Sequence, residues 1–410
     1  MRLIQTAVLS AAVSGVVLAA APQQPAAADA EAALRARAER LHREAIVLDT
    51  HADLTPFIQK DTQPVRITDP GMAGPTYVPA DDPRHQPIRS NWMSGFPAGP
   101  WRFTERHTDG YMDLPRIREG GLDAEFFAIY MEREPRPGMA VTRALAQIES
   151  IHALAEKYPD EVALATSADD VRAIAGSGRL AALIGIEGGY MIEDDLRVLR
   201  MFHALGARYM SLTHSFNTHW ADSSGTGRPV PVRHEGLSPF GVEVVKEMNR
   251  LGMMIDISHV ADSTFFDALA VTEAPVIASH SSVDGVMDHA RNMSDAMLRA
   301  LAENGGVIQI NAVIKYIDPV ERDRTPISVF IDHIAHAIEV AGPDHVGIGL
   351  DYGYDAPAPD DLEDISQLGN VTYELLKRGY DDETVRKVLG ANTLRVMQEV
   401  EEVAARLGRR

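Results

Sequence analysis

Apolar and β-branched residues along this chain gather into short runs that recur from Ala45 onward, and most are followed by a segment with apolar residues at helical spacing. The runs are AIVLDTHAD (from Ala45), AEFFAIYM (Ala124), LAALIGIEGG (Leu180), ARYMSLTH (Ala207), MMIDISHV (Met253), APVIASHSS (Ala274), GGVIQINA (Gly305) and VGIGLDYGY (Val346), eight in all. Intervening segments such as MAVTRALAQIESIHALAEKYP, DDLRVLRMFHALG, PFGVEVVKEMNRLG and PISVFIDHIAHAIEVAG carry the helical pattern, and several end in glycine, a common helix stop. Strands buried on both faces read as near-continuous apolar runs, so the pattern predicts an α/β fold, a (β/α)8 TIM-like barrel. An open doubly wound sheet shares the alternation. The polar positions favour the barrel: His51, Asp53, Glu187, His214, His259, His280 and Asp351 all fall at strand ends, which a barrel gathers at one mouth.

Two stretches fall outside the repeat. Residues 54–112 form a long connection rich in Pro, Gly and aromatics, expected to be an insertion acting as a lid or binding loop. From Asp381 the pattern is helical again and predicts a C-terminal helical extension. No second domain boundary interrupts residues 31–410, which read as one barrel domain. The first thirty residues read as an export signal: Arg2, an apolar run of small residues, then AAADA, suited to signal-peptidase cleavage. The run is short for a bilayer span, which needs about 20 residues; an uncleaved N-terminal anchor is the alternative.

Composition narrows the field. Hydrophobic residues make up 45% of the chain, enough for a large core. The formal charge of −20, with no Lys/Arg cluster, argues against nucleic acid as a partner. There is no cysteine, so neither disulfides nor a lipid-anchoring cysteine are available, and the polar C-terminus carries no lipid-anchor signal. The expectation is a protein outside the cytoplasm, most simply in a bacterial periplasm, with no stable membrane anchor after signal cleavage.

The strand ends then suggest chemistry. His51 and Asp53 are two apart on a strand and share a face, where an imidazole nitrogen and a carboxylate oxygen can bind one metal ion. Alone, such a triplet is common by chance. Glu187 in GIEGG precedes glycines that permit a tight turn, and its two oxygens can bridge two ions. His259 in DISHV and His280 in IASHSS complete a second set, so a His/Asp/Glu site and a Glu/His/His site share Glu187. Ligand-type residues at several strand ends are a stronger signal than any single triplet. A carboxylated lysine as the bridge has no candidate, because Lys60, Lys157, Lys246, Lys315, Lys377 and Lys387 all lie away from the central strand ends.

Mixed imidazole and carboxylate ligation suits zinc first, with manganese, iron or cobalt as alternatives. A metal pair activates water and polarises an acyl oxygen, which points to hydrolysis. Asp351 in GIGLDYGY is the candidate proton carrier. His214 in SLTHSFNTHWADS is the candidate donor to a developing oxyanion, with a structural histidine as the alternative. Arg291 in HARNMSD could grip a substrate carboxylate through a two-pronged hydrogen bond, although a lone loop arginine is as often a surface ion pair. His219, His203, His333 and His336 are set aside, the last two as a helix-surface or partly buried pair. Asp256 is expected to point away from the barrel interior if His259 points in, as a structural hydrogen-bonder.

Taken together, DTHADL, DLPRIREGGLDAEFFAIY, GIEGG, LTHSFNTHWADSS, GLSPFGVEVVKEMNRLGMMIDISHV, APVIASHSS, RNMSD and VGIGLDYGYD resemble the membrane dipeptidase (renal dipeptidase) family of zinc peptidases, in consistent order from Ala45 to Met397. The resemblance implies a barrel with two zinc ions that cleaves dipeptides with broad tolerance, including those with a D- or dehydro-residue second. It implies that His51 and Asp53 bind the first zinc, Glu187 bridges, and His259 and His280 bind the second. His214 and Arg291 would contact the acyl oxygen and the terminal carboxylate, and Asp351 would carry the proton. Family members commonly form homodimers, an expectation resting on the resemblance alone. Two departures stand out: the connection after Asp53 looks longer than the family norm, and NAVIKYI lacks an aromatic soon after Asn311. The rival readings are another binuclear amidohydrolase, acting on an acylated amino acid, cyclic amide or lactone, and a non-catalytic periplasmic binding barrel.

Overall fold

The structure, a computed structural model, describes residues 27–62, 66–67, 76–77, 101–108, 110–131, 138–226, 229–318, 320, 324–353 and 357–408. Residues 1–26 of the export signal expected over 1–30 lie outside the described residues, its last four residues open the helix Ala27–Glu44, and most of the connection 54–112 is likewise outside them. No helix among the described residues is long and apolar enough to cross a membrane.

Each of the eight apolar runs forms a strand: β1 (Leu48–Ala52), β2 (Ala124–Ile129), β3 (Leu180–Ile186), β4 (Ala207–Ser211), β5 (Met254–Asp256), β6 (Ile277–Val283), β7 (Val307–Ile310) and β8 (Val346–Ile348). They pair in chain order, all parallel. The last turns back on the first through a parallel bridge between Ala52 and Tyr352, where Asp351 N donates to His51 O and Asp53 N to Tyr352 O, each at 3.1 Å. The fold is therefore a nearly closed parallel barrel wrapped by helices. Among the described residues, two short strands that join the barrel sheet were not foreseen, Val162–Leu164 beside the start of β3 and Asn292–Met293 beside β6, nor was the separate antiparallel pair Arg66–Ile67 and Thr76–Tyr77.

Alternate residues of the strands separate into two apolar clusters, as the two-residue period of a strand demands. Phe127, Ile129, Ile184, Met210, Ile255, Ile308 and Ile348 face the helices. Leu48, Phe126, Leu183, Tyr209, Met254, Ile277 and Val307 join a second cluster with Leu394, Met397 and Val400 of the C-terminal helix Asn392–Leu407. That helix closes the end of the barrel where the strands begin. Gly390 just before it lies so close to Ile46 O and Leu48 that a Cβ could not fit. With one end plugged by apolar packing, the other is free to carry chemistry.

The described parts of the connection after β1 are pinned to the body. Asp61, in the helix Thr55–Thr62, accepts hydrogen bonds from Phe103 N (3.1 Å), the Tyr158 hydroxyl (3.0 Å) and Lys157 Nζ (2.7 Å). One carboxylate thus ties the departing and returning ends of the connection to the helix Ala140–Lys157.

Candidate metal centre

β1 runs regularly to Asp49 and then bulges before Ala52. A bulge re-aims the side chains that follow it. Here it turns His51 across the barrel, where its Nδ1 meets the Tyr209 hydroxyl at 2.8 Å and its Nε2 reaches the mouth, 3.5 Å from Asp53 Oδ1. Glu187 follows β3 directly, its N–H donating to Ile129 O at 2.9 Å, and the next residue, Gly188, has φ of 109°, a conformation costly for side chains with a Cβ. His214 stands beyond β4, its carbonyl held by the Ser223 hydroxyl. His259 lies beyond β5 and His280 within β6.

Two of these residues hold backbone conformations that non-glycine residues seldom adopt: His259 has φ of 68° and Asp351 of 58°. The His259 conformation is fixed from outside, since its carbonyl accepts from Thr213 Oγ1 and Ser224 N, both at 2.9 Å. Left-handed backbone clamped by its neighbours is a common mark of functional sites.

The side chains converge on one oxygen. Glu187 Oε1 lies 2.9 Å from His259 Nε2, 3.2 Å from His280 Nε2, 3.5 Å from His214 Nε2 and 3.8 Å from His51 Nε2. Asp351 Oδ1 is 3.9 Å from His51 Nε2. Three overlapping groups could each hold a metal ion: His51, Glu187 and His280; Glu187, His214 and His259; His51, Asp53 and Asp351. Arg291 is buried beside them, 3% exposed, its Nη2 donating to His280 O at 3.0 Å while its Nε has no partner. Its guanidinium sits 5.6 Å from the ring of Tyr316, so an aromatic does reach this wall of the mouth, five residues after Asn311.

The electrostatics are those of a site built for cations. Although burial opposes it, the imidazoles of His214, His51, His259 and His280 hold the Glu187 carboxyl well below its ordinary range. Burial also works against charge on His51, but Glu187, Asp53 and Asp351 outweigh it and push that imidazole up to about 10. Burial lowers His259 and His280 far below the usual value, with Arg291 adding repulsion at His259 and His51 at His280. Burial raises Asp53 and takes Asp351 up to about 7.

The donor set fits metal ions. His51 Nε2 and Asp53 Oδ1 are buried with no hydrogen-bond partner, a costly state unless something else satisfies them. His259 Nε2 and His280 Nε2 approach to 2.8 Å, which two lone pairs tolerate only with a proton or a cation between them. Imidazole nitrogens and carboxylate oxygens are the ligand types of zinc and its neighbours.

The histidines set aside stay apart from this cluster. His219 pairs with Asp194 at 2.7 Å and His336 with Asp295 at 2.7 Å. Burial pushes His203 down to about 4 on its helix. His333 is fully buried rather than at a helix surface, set between Val283 N and Ile317 O, with burial lowering it to about 4. One expectation fails. Asp256 turns into the barrel interior, where it accepts from the hydroxyls of Ser211 and Ser279. Strand alternation does not extend from Asp256 to His259, because β5 ends at Asp256 and His259 is left-handed. As expected, Asp256 is a structural hydrogen-bonder, but it lies with Ser279 and Tyr209 beneath the candidate ligands; the last two are not singled out by the sequence, where their signal is a polar residue at an inward position one layer below those ligands.

A parallel barrel whose mouth carries imidazoles around a shared, ionised carboxylate is the construction of a metal-dependent hydrolase. The chain belongs to the membrane dipeptidase family (peptidase family M19), whose sequence profile matches residues 35–410. It is thus a metallopeptidase of the dipeptidase type. Dipeptidase tcpJ of Claviceps purpurea is 38% identical over 304 residues, 72% of this chain and 71% of that protein. Dipeptidase verJ of Clonostachys rogersoniana is 38% identical over 307 residues, 72% of this chain and 78% of that one. Among solved structures, the probable dipeptidase PvdM from Pseudomonas aeruginosa has the same fold, with a TM-score of 0.74, 24% identity and coverage of 91% of this chain and 100% of that one. A metallopeptidase from Rhodobacter sphaeroides, solved with a phosphinate mimic of L-Ala-D-Ala, gives 0.71 at 24% identity, over 87% and 99% of the two chains.

Proposed function

We propose that this chain is an exported, binuclear zinc dipeptidase that hydrolyses dipeptides bearing a free C-terminal carboxylate, with tolerance for a D-residue in the second position. The observation that carries the reading is the convergence of four imidazole nitrogens on Glu187 Oε1 within 3.8 Å. In this assignment His51 and Asp53 would hold one zinc, His259 and His280 the other, and the Glu187 carboxylate would be shared by both. When bound, a zinc pair supplies a reactive water at neutral pH and polarises the scissile carbonyl.

The protein's own groups do the rest. Arg291, buried beside the cluster with its Nε unpartnered, takes the substrate's terminal carboxylate, a group that a guanidinium matches with two parallel hydrogen bonds. His214, 3.5 Å from Glu187, donates to the oxygen that gains charge as the carbonyl is attacked. Asp351 accepts a proton from the attacking water and returns it to the departing amine; the left-handed backbone at Asp351 aims it across the mouth toward His51. Tolerance for a D-residue rests on the family resemblance and on the ligand held by the Rhodobacter sphaeroides relative. The N-terminal run after Arg2 supports export, and the family's habit supports a homodimer.

Comparing hydrolysis of a free dipeptide with that of its C-terminally amidated form tests the substrate class. The free form should turn over while the amide is processed at least about 100-fold less efficiently, since Arg291 loses its charged partner. Equal rates would favour an amidohydrolase acting on another acyl group.

A further inference from the structure

Beneath the mouth lies a layer of hydroxyls and one carboxylate with a defined hydrogen-bond direction. Asp256 accepts four hydrogen bonds: Ser258 N (3.0 Å) and Ser279 N (2.8 Å) on Oδ1, and the Ser211 hydroxyl together with Ser279 Oγ (2.7 Å) on Oδ2. A carboxylate accommodates about four such donors, so Asp256 is filled as an anion and the single proton of Ser279 is committed to it. Ser279 Oγ also sits 2.8 Å from His280 Nδ1. Having given away its proton, it can only accept there, so Nδ1 of His280 must carry hydrogen.

The same logic governs His51. The Tyr209 hydroxyl is 3.1 Å from Thr50 O, a carbonyl that can only accept, and 2.8 Å from His51 Nδ1. Its proton goes to the carbonyl, and Nδ1 of His51 must donate. The phenol reaches this position because Gly185 makes room: a Cβ there would lie 2.0 Å from the Tyr209 ring.

We infer that Tyr209 and the Asp256–Ser279 pair are positioning residues that hold His51 and His280 in the Nδ1–H form, leaving their Nε2 lone pairs directed at the metal centre. The two relays act on ligands assigned to different ions, and they meet below the site, where the Ser279 side chain also hydrogen-bonds Tyr209. Neither group touches the reacting atoms. This rests on the metal assignment proposed above, and it predicts a property of the protein toward metal that does not depend on turnover.

Chelator competition on the full-length chain, with zinc alone as the probe, provides the test. Tyr209→Phe and Ser279→Ala should each weaken zinc binding about 10–100-fold, the usual cost of losing a partner behind a ligand. Asp256→Asn should be at least as severe, because its amide can donate to Ser279 and so reverse the direction of the relay. Ser279→Thr, which keeps the hydroxyl, should bind zinc close to the wild type, a rescue that a purely packing role would not give. Should Asp256→Asn not fold, Tyr209→Phe and the Ser279 pair decide. Wild-type zinc affinity in both Tyr209→Phe and Ser279→Ala, alongside weakened binding in Glu187→Gln, would overturn the relay while leaving the metal site intact. Undiminished zinc binding by Glu187→Gln would instead overturn the metal assignment itself.

Discussion

At the floor of the barrel, Leu48, Leu183, Met254 and Val307 close over Leu394 and Met397 of the C-terminal helix, and the Gln309 amide donates to the Thr393 hydroxyl at 2.8 Å. At the mouth stand His51 Nε2, Asp53 Oδ1 and His214 Nδ1, all buried without a hydrogen-bond partner, and two left-handed residues, His259 and Asp351. The floor is closed mainly by apolar packing, whereas the unpartnered atoms of the mouth stand where a ligand or substrate would supply the missing interaction. Local cost collected at one end is supported by packing at the other.

Substitutions at the two ends should therefore separate catalysis from stability. The largest effect on turnover is expected from Asp351→Asn, which keeps size and hydrogen bonding but cannot carry a proton: kcat should fall by about 10²–10⁴-fold with zinc content unchanged, measured by steady-state kinetics and metal analysis. At the floor, Met397→Ala should lower stability by about 2–5 kcal/mol in denaturant unfolding while turnover per folded molecule stays at the wild-type level. Equal damage to rate from both variants would erase the distinction between the ends.

A smaller effect, and of opposite sign, is expected beside the floor, one residue along β1 and β2 from Leu48 and Ala124. Glu125 and Asp49 are cross-strand partners on β2 and β1, both fully buried, and neither Glu125 oxygen has a hydrogen-bond partner. Burial, with the Asp49 charge beside it, holds the Glu125 carboxyl well above its ordinary value of 4.5. A carboxyl whose pKa is higher in the folded than in the unfolded state contributes stability that is complete below the unfolded value. That contribution is lost as pH rises toward the folded one. Glu125→Gln should therefore raise the melting temperature by roughly 2–5 °C at pH 8 and leave it nearly unchanged at pH 4. A variant less stable than wild type at pH 8 would show that the charge is accommodated there.

The eight barrel strands were legible because each is buried on both faces and so reads as an uninterrupted apolar run. Val162–Leu164 was missed for the converse reason: its three residues are mostly half-buried and offer no such run. The ionisable residues of the mouth were legible because strand ends are where the chain passes from apolar to polar, and His51, Glu187, His280 and Asp351 fall on that boundary. Direction was harder to read. Asp256 was assigned the wrong face because alternation was carried past the end of β5, and the bulge in β1 that turns His51 across the barrel leaves no mark in DTHAD. Nor does a single sequence reveal that Tyr209 reaches His51, since that contact joins residues far apart in the chain and depends on the space left by Gly185.

The central claim is that two cations share Glu187. Diffraction from crystals of the zinc-loaded protein, recorded on both sides of the zinc absorption edge, tests it most directly. Two anomalous peaks flanking the Glu187 carboxylate, one beside His51 and Asp53 and the other beside His259 and His280, are predicted. A single peak, or peaks that leave Glu187 uncoordinated, would contradict it.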